Sequence, residues 1–305
     1  MDWAFPKIFE TGRHYDAFCV FDADNLVHLD FLAVMNTRLM KGQKVLQGYL
    51  SAKNPVDTWV SGTFAIAFWT VNHLWHLGKY NLGLSSCLGG TGMCISADIV
   101  REFGWGCDCL TEDMEFSMKC LSHGIRTCWV HDAIIYDEKP LTFMASWRQR
   151  KRWAQGQFDC SERYIPILMK EGFKRHSIVV LDGIMQLLQN YFLLISAFYL
   201  VMTYINMFYP CFTVVLYNDA LVPRQFWSVL GTIQYVLPLI VLLQIEVPAK
   251  IYLYWLIYPV FMYSWVPVTF LGWIHRHEKQ WVHTIHTRSM QFQAASLTRK
   301  KEIDS

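Results

Sequence analysis

Charged side chains are the first shortage. Asp, Glu, Lys and Arg make up 17% of the 305 residues against 53% apolar, and three stretches, 191–217, 226–245 and 251–274, carry none at all. The apolar excess sits after Gly183. Such a chain has room for one soluble domain plus a small membrane bundle. Net charge is thin as well, at +2, which gives no support to a nucleic-acid partner, and none is expected. The nine cysteines include no C-x-x-C pair, and Cys107-x-Cys109 is too tight for a standard zinc knuckle. Reduced, buried thiols facing a cytosol are the expectation. Met1-Asp-Trp-Ala-Phe-Pro-Lys has neither the basic start nor the apolar core of a secretory leader. The uncharged stretches also hold no charged residue to mark an ion path, which makes a channel or transporter a weak reading.

What is present begins with residues 16–21, a short apolar run that empties into Asp22-Ala23-Asp24-Asn25. That pattern predicts a buried strand ending in a loop of carboxylates, and the carboxyl end of a strand is where an α/β sheet binds ligands. Two carboxylates two residues apart can hold a hard divalent ion that also grips a diphosphate; the plain alternative is an acidic turn. His28–Met40 predicts an amphipathic helix ended near Gly42, Lys44–Tyr49 an alternating strand, and Asn54–Gly78 a helix packed over the domain. Leu88-Gly-Gly-Thr-Gly92 is a glycine-rich turn that also permits close backbone approach to a sugar or phosphate. Ser96 is placed to cap a helix to Phe103. Leu110-Thr-Glu-Asp113 opens another that stops at Gly124, where Glu112 and Asp113 would by default complement the helix dipole. Short strands are expected at 126–130 and 133–136.

Residues 145–157 join the two halves. On a helix Gln149 and Trp153 share one face, Arg148 and Arg152 a neighbouring one, and Arg150 and Lys151 complete a block of four cations. Such a block can lie on anionic lipid or hold phosphate oxygens. Beyond it, Asp182, Gln186 and Gln189 form a polar stripe on an apolar helix, which lies in the interface or against a polar cavity. The uncharged stretches are each long enough to span a bilayer, with Trp and Tyr at their rims. The expected organisation is a partial catalytic domain over 1–165 and an interfacial segment over 166–190. About three transmembrane helices follow over 191–274, then a basic polar tail over 275–305.

Taken in order, Asp22-x-Asp24, Gly90-Thr91-Gly92, Thr111-Glu112-Asp113 and Gln149-x-x-Arg152-Trp153 followed by apolar spans resembles the processive family 2 glycosyltransferases, the cellulose, hyaluronan, chitin and poly-N-acetylglucosamine synthases. The resemblance covers roughly residues 15–160 by motif. It implies a GT-A-like α/β domain ahead of an α-helical bundle in the plasma membrane, with the catalytic part cytosolic. Asp24 would ligate Mg²⁺ or Mn²⁺ on the diphosphate of a nucleotide-sugar donor, with Asp22 beside it. Asp113 would be the general base and Glu112 its neighbour. Thr111 and Gly90-Thr91-Gly92 would lie by the substrates. Gln149, Arg152 and Trp153 would border the acceptor and the leaving diphosphate. The implied reaction is inverting transfer from a UDP-GlcNAc or UDP-glucose class donor to a β-linked polysaccharide or glycolipid acceptor. Family members carry roughly half a nucleotide-binding domain ahead of the D-x-D. Here it begins at residue 22, so an amino-terminally truncated synthase is expected. The alternative is a non-catalytic or split-gene fragment whose donor site is completed by a separate chain.

Overall fold

The computed structural model describes residues 1–209 and 224–278. Helix α1 (Ala4–Glu10) lies on the sheet through Phe5, whose ring stands 4.9 Å from Phe18. Strand β1 (Ala17–Val20) runs into the Asp22–Asn25 turn, where Asn25 N donates to Asp22 O at 3.1 Å. Then come β2 (Leu26–Val27), α2 (Phe31–Met40) and β3 (Val45–Ala52). A capping box between Thr58 and Ser61 starts α3 (Trp59–Thr70), which passes through a π-helical turn (Val71–His76) into α4 (Leu77–Asn81). The domain continues with β4 (Met93–Ser96), α5 (Ala97–Phe103), α6 (Glu112–Ser122) and β5 (Thr127–Asp137). Ser96 stands at the capping position of α5 as expected, but its hydroxyl makes no capping bond.

The sheet order is β1-β4-β3-β5-β2. Strand β4 is antiparallel to both β1 and β3, and β3 is parallel to β5. Strands β1, β3 and β5 therefore point the same way, and their carboxyl ends share one edge of the sheet. All eight residues of β3 are buried, so the alternation expected at Lys44–Tyr49 is absent. Leu46 and Leu50 pack toward Phe31 and Met35 of α2, while Val45 packs with Ile99 of α5 and Phe116 of α6. A central strand covered on both faces has no polar side to show. The two strands expected at 126–130 and 133–136 are one, interrupted where the β3 register jumps from Val130 to Ile134. The skipped residues, His131–Ala133, form a bulge.

Strands β1 and β2 occupy opposite edges of the sheet, yet only residues 21–25 separate them. Four strand intervals at about 4.8 Å would require ~19 Å across a flat sheet. Six residue steps cover ~20 Å only when fully extended. Because the Asp22–Asn25 segment is turned, the sheet has to curl, and the acidic loop lies strapped across the shared edge.

Helix α7 (Phe143–Lys174) is capped by Thr142, which accepts from Ala145 N, and it runs through Pro166. It crosses the expected boundary at 165/166 without a break. Next are α8 (Ile178–Leu187), α9 (Gln189–Phe208), α10 (Arg224–Gln244), α11 (Lys250–Tyr263) and α12 (Trp265–Ile274). The polar stripe of α8 turns inward rather than toward an interface: Lys79 Nζ is 2.7 Å from Asp182 and 3.3 Å from Gln186 Oε1.

Of the three expected spans, α11 and α12 together make one 25-residue rod, Lys250–Ile274, long and apolar enough to cross a bilayer. Helices α8 and α9 pass the same test only as a pair bent by 50°. In α10 the apolar part is Gly231–Gln244, too short alone. The ends of the expected 191–217 span and of the 275–305 tail lie outside the described residues.

Candidate functional site

Two groups of side chains meet at the shared sheet edge, and the glycine-rich turn links them. In the first, Thr91 Oγ1 contacts Asn25 Oδ1 and accepts from Asp22 N at 3.1 Å, tying the turn to the acidic loop. Beneath, the buried Gln47 of β3 accepts from Gly89 N at 2.8 Å and donates to Thr91 O at 2.9 Å. Ser117 of α6 accepts from Leu88 N at 2.8 Å. Each end of the turn is thus held by a buried polar side chain whose own capacity is used.

The second group surrounds Asp113. Gly90 has φ +79°, and a Cβ there would lie 3.4 Å from Asp113 Oδ2. The position therefore calls for glycine on conformational grounds and leaves the carboxylate open to the loop. Asp113 Oδ1 accepts from Met114 N at 2.7 Å. Its carboxyl is pushed up to about 7, first by burial and then by the charge of Glu112, with the Met114 N–H and Arg152 pulling the other way. Asp113 lies in the first turn of α6, where the helix dipole alone would move a carboxyl down, so burial outweighs the dipole at this group.

Arg152 reaches this group from α7, where Nη1 donates to Leu110 O at 3.2 Å. One turn later, Gly156 lets α7 press against Thr111: a Cβ there would meet Thr111 Oγ1 at 2.6 Å and Thr111 N at 2.7 Å. Thr111 Oγ1, Gln149 Oε1, Arg152 Nε and Asn25 Nδ2 are buried and lack hydrogen-bond partners. These four belong to the motifs singled out from sequence or to the loop they contain, while others, such as Gln43 Oε1 and Thr269 Oγ1, lie elsewhere. Trp153 faces elsewhere, packing edge-on to Phe64 at 6.1 Å and stacking near Trp265 at 6.5 Å. The indole thus sits where the sheet domain meets α12.

The four cations of 148–152 do not act as one block. Arg148 is exposed and Arg152 points to the Thr111 turn. Arg150 is fully buried, 4.4 Å over the Phe261 ring and 5.1 Å over Trp265, and it donates to Ser264 Oγ at 2.8 Å. Sequence reasoning placed Arg150 with the others because helical spacing does not show which face the apolar helices will cover.

Three residues at the edge were not singled out from sequence: Gln47, Lys53 and Glu138. A glutamine inside an apolar strand was the one signal for the first. Lys53, directly after β3, donates to Asp24 O at 2.8 Å and lies 3.5 Å from Asp24 Oδ2 and 3.3 Å from Glu138 Oε2. Asn54 pins the same corner by exchanging hydrogen bonds with Lys139 N and O.

Among the described residues, no group of three or more His, Cys, Asp or Glu side chains is placed to hold a metal ion. The edge therefore does not present a protein cage for a resident cation. A hard cation that brings oxygens of its own would ask less of the protein, since Mg²⁺ typically takes one or two carboxylates and completes its shell with substrate phosphates and water. Asp24, with Asp22 two residues away, is where such an ion would be held.

The sequence model for glycosyl transferase family group 2 matches residues 17–273, and the chain belongs to that family. It is also similar to a probable glycosyltransferase, YdaM, of Bacillus subtilis (strain 168), at 26% identity over 144 residues. The match covers 46% of this chain and 34% of that protein, so the chain spans about a third of the relative's length.

Proposed function

We propose that this chain transfers a sugar, with inversion, from a nucleotide-sugar donor to a hydroxyl of a growing β-linked polysaccharide or a glycolipid. Asp113 carries the reading. A carboxyl pushed up to about 7, lodged between the glycine-rich turn and Arg152, is suited to take a proton at neutral pH. The acceptor hydroxyl gives its proton to Asp113 while its oxygen bonds to the anomeric carbon. The bond from that carbon to the diphosphate breaks, and the electron pair leaves with the nucleoside diphosphate. One in-line displacement turns an α-linked donor into a β-linked product. Arg152, with Nε still to be satisfied, meets the charge that develops on the leaving oxygens. A divalent cation held by Asp24 would neutralise the remainder of that charge. Trp153, packed between Phe64 and Trp265, would border an acceptor only where the sheet domain meets α12.

The outer face of α11 supports a membrane placement. Ile251, Tyr254, Tyr258 and Phe261 are buried against the domain, while Leu253, Leu256, Ile257, Val260 and Tyr263 point outward. A helix apolar all round belongs in a core or a bilayer. With the resemblance to the processive synthases beside it, we read the chain as a multi-pass plasma-membrane protein with its catalytic part in the cytosol. The test is incubation of membranes carrying the chain with labelled UDP-GlcNAc and UDP-glucose, with product anomers read by NMR. A β-linked product from either donor is expected. An α-linked product would overturn inversion, and no transfer from either donor would overturn the proposed donor class.

A further inference from the structure

We infer that Lys53 is a positioning residue that occupies the cation site of Asp24 until a metal arrives together with a diphosphate. The inference rests on the proposed metal role of Asp24. Its basis is the topology of the sheet edge. The acidic loop crosses the carboxyl ends of β3 and β5, and Lys53 and Glu138 emerge from those ends directly beneath it.

The Lys53 side chain is 3% exposed and that of Glu138 4%, whereas Asp24 is 29% exposed. A buried ammonium requires compensation, and Lys53 takes it from Glu138 on one side and from the carbonyl and carboxylate of Asp24 on the other. Lys139 is paired separately, to Asp137 at 2.8 Å. A divalent ion arriving at Asp24 would compete with Lys53 for the same carboxylate.

Lys53 sets when that ion binds. Its positive charge repels a bare divalent cation from Asp24, and the diphosphate of the donor reverses the local balance. Metal binding is then coupled to nucleotide binding, and the free ion is held weakly. Glu138, anchored at the end of β5, keeps the ammonium under the loop rather than in solvent.

The experiment is an EPR titration of Mn²⁺ against the purified full chain, with and without UDP. Wild type should take up Mn²⁺ weakly alone and at least tenfold more tightly with UDP. Lys53→Met should bind Mn²⁺ alone roughly tenfold more tightly than wild type, because a positive charge is lost beside a ligand carboxylate. Lys53→Arg keeps the charge and should stay near wild type. If Lys53→Met leaves Glu138 uncompensated and fails to fold, Lys53→Gln removes the same charge while keeping a hydrogen-bond donor for Glu138 and the Asp24 carbonyl, and it should likewise bind Mn²⁺ alone more tightly than wild type. Unchanged Mn²⁺ affinity in a folded Lys53→Met or Lys53→Gln variant overturns the inference. Asp24→Asn separates it from the reading beneath: Mn²⁺·UDP binding that survives Asp24→Asn removes the metal role of Asp24 itself, and the role of Lys53 with it.

Discussion

Replacing Asp113 by asparagine removes a charge that the fold holds at a loss. Moving a carboxyl from its ordinary 3.8 to about 7 costs its ionised form up to ~4 kcal/mol at ~1.4 kcal/mol per pH unit. Asp113 keeps part of its surface in solvent, which screens this cost and reduces the figure to ~1–2 kcal/mol. The sign follows from proton linkage. Between pH 3.8 and about 7 the unfolded chain has released the proton and the folded chain still holds it, so wild-type stability falls as pH rises through this window and levels off above it. An asparagine side chain cannot ionise. The Asp113→Asn variant should match wild type near pH 4 and be more stable by ~1–2 kcal/mol above pH 7. Thermal unfolding of both proteins in the same detergent from pH 4 to 8.5 reads the difference. A variant less stable than wild type at pH 8, or a constant offset across the range, would refute a desolvated carboxyl and return Asp113 to helix capping.

Arg152→Lys should lower transfer by roughly a hundredfold, since lysine lacks the planar fork. The exposed Arg148→Lys should change it little, and membrane partitioning should be unaltered in both; equal small effects would leave only lipid binding. Gln47→Leu strands Gly89 N and Thr91 O, costing ~1–3 kcal/mol for each unpaired group in chemical denaturation, and it should reduce transfer because the turn loses its support. Gly90→Ala, forced to φ +79° beside the Asp113 carboxylate, should cost ~1–2 kcal/mol and depress activity far more than stability; an active Gly90→Ala enzyme would remove the turn from the site. Arg150→Ala should destabilise by ~3 kcal/mol while Arg150→Met costs much less, because alanine leaves a cavity among the Phe261 and Trp265 rings that a methionine refills.

The parts of the site that were legible in the sequence are those written locally. A strand emptying into Asp22-x-Asp24, positive-φ glycines at 90 and 92, and carboxylates at the start of α6 are all short-range patterns, and each is found where it was expected. What stayed hidden depends on which elements become neighbours. Lys53 reads as an ordinary cation after a strand until β1 and β2 are known to take opposite edges and draw the acidic loop across it. Arg150 reads as one of four lipid-facing cations until α11 and α12 fold back over α7. The alternation expected for β3 failed for the same reason, because burial on its second face comes from a helix remote in sequence. The expected break between two strands at 131–132 was seen correctly but explained differently, as a bulge within one strand.

The central claim is that this chain transfers a sugar with Asp113 taking the acceptor proton. It is tested most directly by measuring transfer rate and UDP binding side by side for wild type and Asp113→Asn at pH 8. The account predicts a folded variant that binds UDP as wild type does and transfers at least a thousandfold more slowly, in keeping with the loss of a general base. Transfer by Asp113→Asn at the wild-type rate would contradict it.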